Sequence, residues 1–241
     1  MNAVILAAGR GKRMGALTRT CPKPLLPVHG RPIVVHILRG LMRAGVKRAT
    51  LVVGYLGQQI QGALGNGQQF GLQLEYVWQP TPLGTADALL LARPTLPCEP
   101  FFLSWGDVLV APENYARLRA AFEEKPAAAW IGVNEVDDPC AGAAVYFDAT
   151  GRVSRIVEKP KPGTSTTRWN NAGVGIYAPV VFDYAGKVSL SERGERELPQ
   201  ALDLMIAAGE TVYALPFSGF WSDLGTPEAL AWAEKHYPST E

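Results

Sequence analysis

The sequence predicts an α/β fold in which a doubly wound, mixed and mostly parallel sheet carries helices on both faces. Three observations indicate this class. Apolar runs of strand length alternate with segments of helical periodicity, a glycine-rich turn follows the first run, and the strands become closely spaced after about residue 127. Strands separated by crossovers of helix length pair in parallel and are covered on both faces. The first half is therefore Rossmann-like.

Each element of the first half has its own pattern. Apolar, β-branched runs predict strands at residues 2–8, 49–55, 72–78 and 100–105. A helix is expected over residues 32–45, because its apolar residues fall on one face. Pro32 suits the first helical position and Gly45 suits the end. A short glutamine-rich helix and a helix over about 85–92 complete this half.

The second half adds strands and a small β or lid region to the sheet. Closely spaced strands are expected at residues 127–133, 143–148 and 152–158. The sequence "DATG" at 148–151 suits a hairpin turn between the last two. A strand near 169–178, a helix over about 195–208, a strand at 211–216 and a helix after Pro227 follow.

The composition favours one large domain or a domain with a small appendage, and residues 1–241 are interpreted as a single domain. Hydrophobic residues make up 47% of the 241 residues, which is enough for one sizeable core. Lys and Arg number 23 against 22 Asp and Glu, so the net charge favours neither nucleic acid nor a membrane surface as a partner. The first apolar segment is too short to span a membrane and is interpreted as a strand.

Cysteine and histidine are few and scattered. The three cysteines, Cys21, Cys98 and Cys140, contain no CxxC pair. The three histidines, His29, His36 and His236, are scattered along the chain. This spacing argues against a disulfide framework or a zinc cluster and favours a reducing, cytoplasmic location.

The glycine-rich turn after the first strand has the features of a phosphate-binding loop. Gly9 and Gly11 allow backbone amides to approach phosphate oxygens at the carboxyl end of a strand. The dinucleotide fingerprint, however, requires a third glycine where this chain has Met14. The Walker pattern requires Ser or Thr where this chain has Arg13. The loop therefore fits neither of these patterns.

The loop instead carries fixed cations: Arg10, Lys12, Arg13 and Lys23. An arginine offers a planar fork to phosphate oxygens and a lysine offers a point charge. Pro22 and Pro24 restrict the backbone around Lys23. On charge alone, a solvated basic loop remains an alternative to a triphosphate site.

Residues 6–28, "LAAGRGKRMGALTRTCPKPLLPV", resemble the signature of the sugar-1-phosphate nucleotidyltransferases, also called NDP-sugar pyrophosphorylases. The resemblance implies that Arg13 binds the β- and γ-phosphates of a nucleoside triphosphate (NTP) and stabilises the departing pyrophosphate. It implies that Lys23 contacts the reacting phosphates. The implied nucleotide contacts in this stretch are Leu6, Ala8, Gly9 and Gly11. One departure is Ala16, where the family usually has proline.

The segment "QPTPLGTADAL" at 79–89 is similar to the base-binding segment of that family. Gln79 can donate to and accept from a base edge. Gly84 permits close approach, and Thr85 is expected to be a helix N-cap. Taken alone, the segment could equally be a strand end and an ordinary helix start.

Two aspartates occupy the positions that hold Mg²⁺ in the family. Asp107 follows a buried strand, and Asp223 precedes a glycine turn and the last helix. Magnesium takes few carboxylates and fills its octahedron with phosphate oxygens and water. Each aspartate alone could be a turn or cap residue. Val108 stands where the family commonly has Asn or Thr.

Two further segments resemble the sugar-phosphate side of the family. "RIVEKPKPG" implies that Glu158 accepts bonds from sugar hydroxyls and that Lys159 binds the sugar phosphate. "WNNAGVGIY" makes Asn171 a sugar ligand and Gly173 part of the pocket wall. The family often has a further sugar-contacting glycine, and Gly142 of this chain lies one residue out of register with that position. Residues 1–126 would thus bind mainly the NTP and residues 127–241 mainly the sugar phosphate.

Together, these family-like segments imply a Mg²⁺-dependent enzyme that makes an NDP-sugar and pyrophosphate, with catalysis by Arg13, Lys23 and Lys159. UTP or dTTP with glucose-1-phosphate is favoured, and a mannose-1-phosphate or other guanylyltransferase is the alternative. A glycosyltransferase would need a D-x-D motif, where only "GDV" occurs after the fourth strand. A catalytically silent regulatory subunit would be expected to lack the charged site residues, which are Arg13, Lys23, Asp107, Lys159 and Asp223. No C-terminal β-helix is expected, and the sequence leaves a homo-oligomer open.

Overall fold

A mixed sheet of nine strands organises the computed structural model, which describes residues 1–238. The last three residues of the predicted domain, 239–241, lie outside the described part. The strands of residues 1–238 are β1 (Asn2–Ala7), β2 (Pro27–Val28), β3 (Arg31–Pro32), β4 (Arg48–Val53), β5 (Gln73–Trp78), β6 (Phe101–Trp105), β7 (Val108–Val110), β8 (Ala129–Glu135), β9 (Ala143–Phe147), β10 (Val153–Glu158), β11 (Trp169–Tyr177), β12 (Val212–Pro216) and β13 (Trp221–Asp223).

Seven α-helices within the same residues pack around the sheet. They are α1 (Ile33–Arg43), α2 (Gly57–Leu64), α3 (Thr85–Ala92), α4 (Glu113–Glu124), α5 (Val181–Ala185), α6 (Leu198–Ala207) and α7 (Pro227–His236). None of these helices is long and apolar enough to cross a membrane.

Parallel strands form the centre of the sheet. The strand β1 pairs in parallel with β4 on one side and β6 on the other, and β5 pairs in parallel with β4. The carboxyl ends of these strands therefore meet at one edge. Gly9, Gln79 and Asp107 follow the ends of β1, β5 and β6, so the topology brings their three loops together.

Apolar side chains of β1 alternate between two cores. Ala3, Ile5 and Ala7 face a cluster shared with α1, α2, α4 and α7. Val4 faces a second cluster shared with α3, α5 and α6. Side chains of a strand point alternately to opposite faces, so helices cover both faces of the sheet. The predicted doubly wound, mixed and mostly parallel fold is confirmed.

The second half contributes mainly antiparallel pairings. The long strand β11 pairs with β6, β8 and β9, while β12 joins β8 in parallel. The hairpin between β9 and β10 is confirmed, because the two strands pair antiparallel. Within its turn the carboxylate of Asp148 accepts a hydrogen bond from the backbone N–H of Thr150 at 2.8 Å.

Some elements differ from the sequence-based expectation. The helix α1 begins at Ile33, with Pro32 before its first residue, so the expectation of Pro32 inside the helix is wrong. Gly45 follows the helix with a φ of +83°, a conformation that favours glycine. The helix α4 has no counterpart in the expectation, and α6 begins three residues later than expected.

A small two-stranded sheet was also not expected, and it positions two acidic side chains. β7 and β13 pair antiparallel, with Asp223 opposite Val108. The backbone N–H of Leu224 donates to the carbonyl of Asp107 at 2.9 Å. Asp107 and Asp223, which are far apart in sequence, are thereby adjacent.

Candidate active site

A cavity of about 840 Å³ opens at the edge where the parallel strands end. The predicted nucleotide-side residues in its lining are Leu6, Ala8, Gly9, Gln79, Gly84 and Thr85. The predicted phosphate, metal and sugar residues in its lining are Arg13, Asp107, Asp223, Glu158 and Lys159. Predicted site residues from both halves of the sequence therefore line one cavity, whereas Gly11, Lys23, Asn171 and Gly173 are not in its lining.

Two aspartates and two cations meet in this cavity. Lys23 Nζ lies 2.6 Å from Asp107 Oδ2 and 3.6 Å from Asp223 Oδ1. Arg13 Nη2 lies 3.5 Å from Asp223 Oδ2. Among residues 1–238, no group of three or more His, Cys, Asp or Glu side chains forms a metal site. The four groups form a charge-balanced cluster.

Asp223 has an oxygen that the protein leaves without a hydrogen-bond partner. Its Oδ1 is buried, and Lys23 Nζ, at 3.6 Å, is beyond hydrogen-bond distance. Burial raises the pKa of Asp223, the charge of Asp107 raises it further, and Lys23 and Arg13 oppose both effects. A buried oxygen without a partner is costly, so Asp223 is suited to accept a cation.

Lys23 acts from behind the cavity wall. Its side chain is only 6% exposed and does not appear in the lining. The short 3-10 turn Lys23–Leu25 between Pro22 and Leu26 fixes its backbone. Gly11 is also absent from the lining. The φ of Gly11 is +62°, and a Cβ there would lie 3.1 Å from Thr18 Cγ2 and 3.3 Å from Lys23 Cβ, so Gly11 provides room for the packing of both side chains.

Arg13 is held over a glycine. A Cβ at Gly225 would lie 2.6 Å from Arg13 Nη2. The absence of that atom gives the guanidinium its place beside Asp223, although 64% of the Arg13 side chain remains exposed.

The predicted nucleotide-binding segment is joined to the segment before α6. Gly84, with φ of +102°, precedes α3, and a Cβ there would collide with the backbone of Arg196. The prediction that Thr85 caps its own helix is wrong. Thr85 Oγ1 instead accepts from the backbone N–H of Leu198 at 2.8 Å, at the start of α6. Gln79 Nε2 donates to Gly84 O at 3.2 Å.

The predicted sugar-binding residues include a second cluster of charges. Glu158 Oε1 lies 3.6 Å from Lys159 Nζ and 3.4 Å from Arg193 Nη2, and Arg193 also donates to Glu197. Burial raises the pKa of Glu158 to about 7, the charge of Glu197 adds to this, and Lys159 and Arg193 act against it. Glu158 can therefore exchange a proton near neutral pH.

Asn171 and Gly173 lie behind the lining. Asn171 is buried, and its Oδ1 accepts from the backbone N–H of Gly173 at 3.0 Å. Gly173 has φ of +75°, and a Cβ there would lie 2.6 Å from the ring of Trp105. Trp105, which packs against Gly173, and Asn170, the neighbour of Asn171 in β11, are both in the cavity lining.

Comparisons with known proteins agree with this arrangement. The family model described as nucleotidyl transferase matches residues 2–240. This chain belongs to the nucleotidyl transferase family. It is 30% identical over 98% of its length to the low-salt glycan biosynthesis nucleotidyltransferase Agl11 of Haloferax volcanii. It is 31% identical over 93% of its length to glucose-1-phosphate thymidylyltransferase of Streptomyces griseus, and 32% identical over 95% to the mannose-1-phosphate guanylyltransferase catalytic subunit beta of Danio rerio.

The chain spans 65%, 62% and 62% of the lengths of these three relatives. Among solved structures, UDP-glucose pyrophosphorylase complexed with UDP-glucose has a TM-score of 0.86 at 20% identity, with 97% of both chains covered. A Bacillus anthracis protein has a TM-score of 0.87 at 26% identity, covering 98% of this chain and 94% of that one. These similarities agree with the fold described above.

In this nucleotidyl transferase chain, some lining residues were not predicted from the sequence. Arg193 and Glu197 occur in the charged run "SERGERELP" at 191–199, whose second half was expected to begin a helix. The structure also places Gly142 in the lining, where a Cβ would collide with Asn170 Oδ1. The signal for Arg193 was the charge density just before a helix, but its partners could not be read.

Proposed function

We propose that this chain transfers a nucleotidyl group from an NTP to a sugar-1-phosphate and releases pyrophosphate. The observation that carries this proposal is the shared cavity, in which the loop with Arg13, the pair Asp107 and Asp223, and the pair Glu158 and Lys159 all take part. Thymidylyl- and guanylyltransferases among the relatives support the same reaction class.

In this reaction a phosphate oxygen of the sugar-1-phosphate forms a bond to the α-phosphorus of the NTP. The bond from that phosphorus to the bridging oxygen breaks, and pyrophosphate leaves with the electron pair. The nucleophile is already an anion at neutral pH, so the protein need not supply a base. Its contribution is positioning and charge stabilisation.

The cations of the cavity have distinct roles in this proposal. Arg13, at the edge of the cavity, binds the β- and γ-phosphates and stabilises the charge of the leaving pyrophosphate. Lys23 is close to both aspartates and is proposed to contact the reacting phosphates. Because its side chain lies outside the cavity lining, this contact requires its ammonium group to move from Asp107 into the cavity. Lys159 binds the phosphate of the sugar substrate, and Glu158 accepts hydrogen bonds from sugar hydroxyls. Leu6, Ala8, Gly9 and Gly11 shape the loop around the nucleotide.

Asp107 and Asp223 suit Mg²⁺. The buried Oδ1 of Asp223 without a hydrogen-bond partner and the nearby carboxylate of Asp107 are hard oxygen donors, which this ion prefers. When bound, Mg²⁺ would neutralise charge on the phosphates. Asn171 and Gly173 are not in the cavity lining, so they would act on the sugar indirectly, since Asn171 bonds the backbone of Gly173 and Gly173 packs against the ring of Trp105 in the pocket wall.

For the nucleotide, UTP or dTTP is favoured with glucose-1-phosphate as partner. A mannose-1-phosphate guanylyltransferase is the alternative, supported by the Danio rerio relative. The decisive experiment is a matrix of UTP, dTTP, GTP, CTP and ATP against several sugar-1-phosphates, scored by pyrophosphate release. Release from NTP only when a sugar-1-phosphate is present supports the proposal. Transfer of sugar to an acceptor, or no turnover with any pair, contradicts it.

A further inference from the structure

The side-chain amide of Gln79 is held from one side by the start of α3. Its Nε2 donates to Gly84 O at 3.2 Å and to Asp87 Oδ2 at 2.9 Å. An amide nitrogen carries two hydrogens, and a carbonyl and a carboxylate only accept. The nitrogen is therefore the amide atom that must face these partners, and both of its hydrogens are used.

This orientation makes Oε1 the amide atom that is available to a ligand. Gln79 lines the cavity, and within residues 1–238 the hydrogen bonds of its side chain are those made by Nε2. A ligand beside Gln79 thus meets a fixed hydrogen-bond acceptor. An unconstrained glutamine could instead turn over and offer its nitrogen.

Asp87 is in turn fixed by Arg196. Arg196 Nη1 lies 3.6 Å from Asp87 Oδ1, the oxygen that Gln79 does not use. The backbone of Arg196 is tied to the same loop, since its N–H donates to Leu83 O at 2.7 Å and its carbonyl accepts from Ala86 N at 2.9 Å. Because a hydrogen bond to a carboxylate is stronger than a neutral one, Asp87 holds Gln79 more firmly than an amide would.

We propose that Asp87 is a positioning residue for nucleobase selection, which holds Gln79 so that the cavity presents a carbonyl oxygen to the base. Uracil, thymine and guanine carry an N–H at the centre of their pairing edge. Cytosine and adenine carry a lone pair there, which a fixed acceptor leaves unpaired at a cost. The site therefore selects the first three bases. This inference rests on the proposed function, which takes an NTP as substrate.

The test is Asp87→Asn, which keeps the shape and removes the charge. An asparagine at this position can donate to Oε1, so Gln79 gains its reversed orientation. We expect the ratio of kcat/KM for UTP over CTP, or for GTP over ATP, to fall about tenfold, mostly through the KM of the NTP. The KM of the sugar-1-phosphate stays unchanged. Asp183→Asn, on an exposed aspartate of α5, is the matched control and leaves the ratio unchanged.

A double-mutant cycle separates positioning from a general structural effect. If Asp87 acts through Gln79, then Asp87→Asn changes the ratio less than about twofold in a Gln79→Ala background. An undiminished effect in that background, or an unchanged ratio in the single variant, overturns the inference. If Asp87→Asn does not fold, NMR of the wild type decides, because a contact between the Gln79 amide protons and the bound base also overturns it.

The proposed function and this inference fail in different ways. If the wild type releases no pyrophosphate from any pair of substrates, the reaction is wrong. The ratio is then taken from calorimetric binding of UTP and CTP to the same variants. A wild type that turns over but shows no preference between UTP and CTP, or between GTP and ATP, overturns the Asp87 inference alone. A wild type that binds no nucleotide overturns both.

Discussion

Removing the Arg13 side chain should reduce activity far more than stability. In Arg13→Ala the lost ion pair to Asp223 is 3.5 Å long and involves a side chain that is 64% exposed. Such a pair contributes about 0–1 kcal/mol to the free energy of unfolding. The same guanidinium is proposed to stabilise the leaving pyrophosphate. Losing one such donor costs about 10²–10³ in rate, or about 3–4 kcal/mol of transition-state stabilisation.

The assay is pyrophosphate release at saturating Mg²⁺, together with thermal unfolding of each variant. We expect kcat/KM of Arg13→Ala to fall about 100-fold, with a melting temperature within about 4 °C of the wild type. Arg13→Lys keeps the charge but not the planar fork and should lie between the two. Lys12→Ala removes an exposed neighbouring cation that is absent from the cavity lining and should be nearly normal. A normal rate in Arg13→Ala, or an equal loss in Lys12→Ala, would refute the reasoning.

Three further outcomes are expected. Gly225→Ala places a methyl group 2.6 Å from Arg13 Nη2 and should lower activity roughly tenfold by displacing the guanidinium, on the scale of a misplaced catalytic group; unchanged kinetics would contradict this. EDTA should abolish pyrophosphate release, and added Mg²⁺ should restore it. Asp107→Asn or Asp223→Asn should raise the Mg²⁺ concentration needed for activity about tenfold or more. Metal-independent turnover would count against both aspartates. The pKa of Glu158 is raised to about 7 in the folded state. Between about pH 4.5 and 7 the folded state therefore retains a proton that the unfolded state has lost, and the free energy of unfolding falls as the pH rises through this range. Glu158→Gln should remove on the order of 2 kcal/mol of that fall in urea unfolding at pH 5 and pH 8, and an unaltered slope would disprove the assignment.

The parallel half of the fold and its loops could be predicted from the sequence because the signals are local. A strand, a loop and a helix follow one another, and loops after parallel strands must meet at one edge. That rule brings Gly9, Gln79 and Asp107 together without knowledge of any long-range contact. Asp223 is different, since it reaches Asp107 only through the pairing of β13 with β7. Only the family resemblance predicted that Asp223 lies beside Asp107.

The remaining features could not be predicted because they depend on contacts between distant segments. Thr85 has the chemistry of an N-cap, and its local sequence predicts one. Its hydroxyl is taken by Leu198 instead, because the segment before α6 packs against the start of α3. Likewise, Gly11 has the pattern of a phosphate-loop glycine, and the sequence did not indicate that its Cβ position would lie 3.1 Å from Thr18 Cγ2 and 3.3 Å from Lys23 Cβ. In both cases the residue type indicated a structural role, but the residue that it contacts could not be predicted from the sequence.

The charges of the cavity explain why substrate binding should be linked to protons and to a divalent cation. Arg13 and Lys23 are balanced by two aspartates, and Lys159 and Arg193 are balanced by Glu158 and Glu197. A triphosphate that binds there competes with carboxylates for these cations and gains little net attraction. Extra positive charge must accompany it. Burial already raises the pKa of Asp223 and of Glu158. When the phosphates bind the Arg and Lys side chains that had paired with these carboxylates, accepting a cation or a proton therefore stabilises both carboxylates.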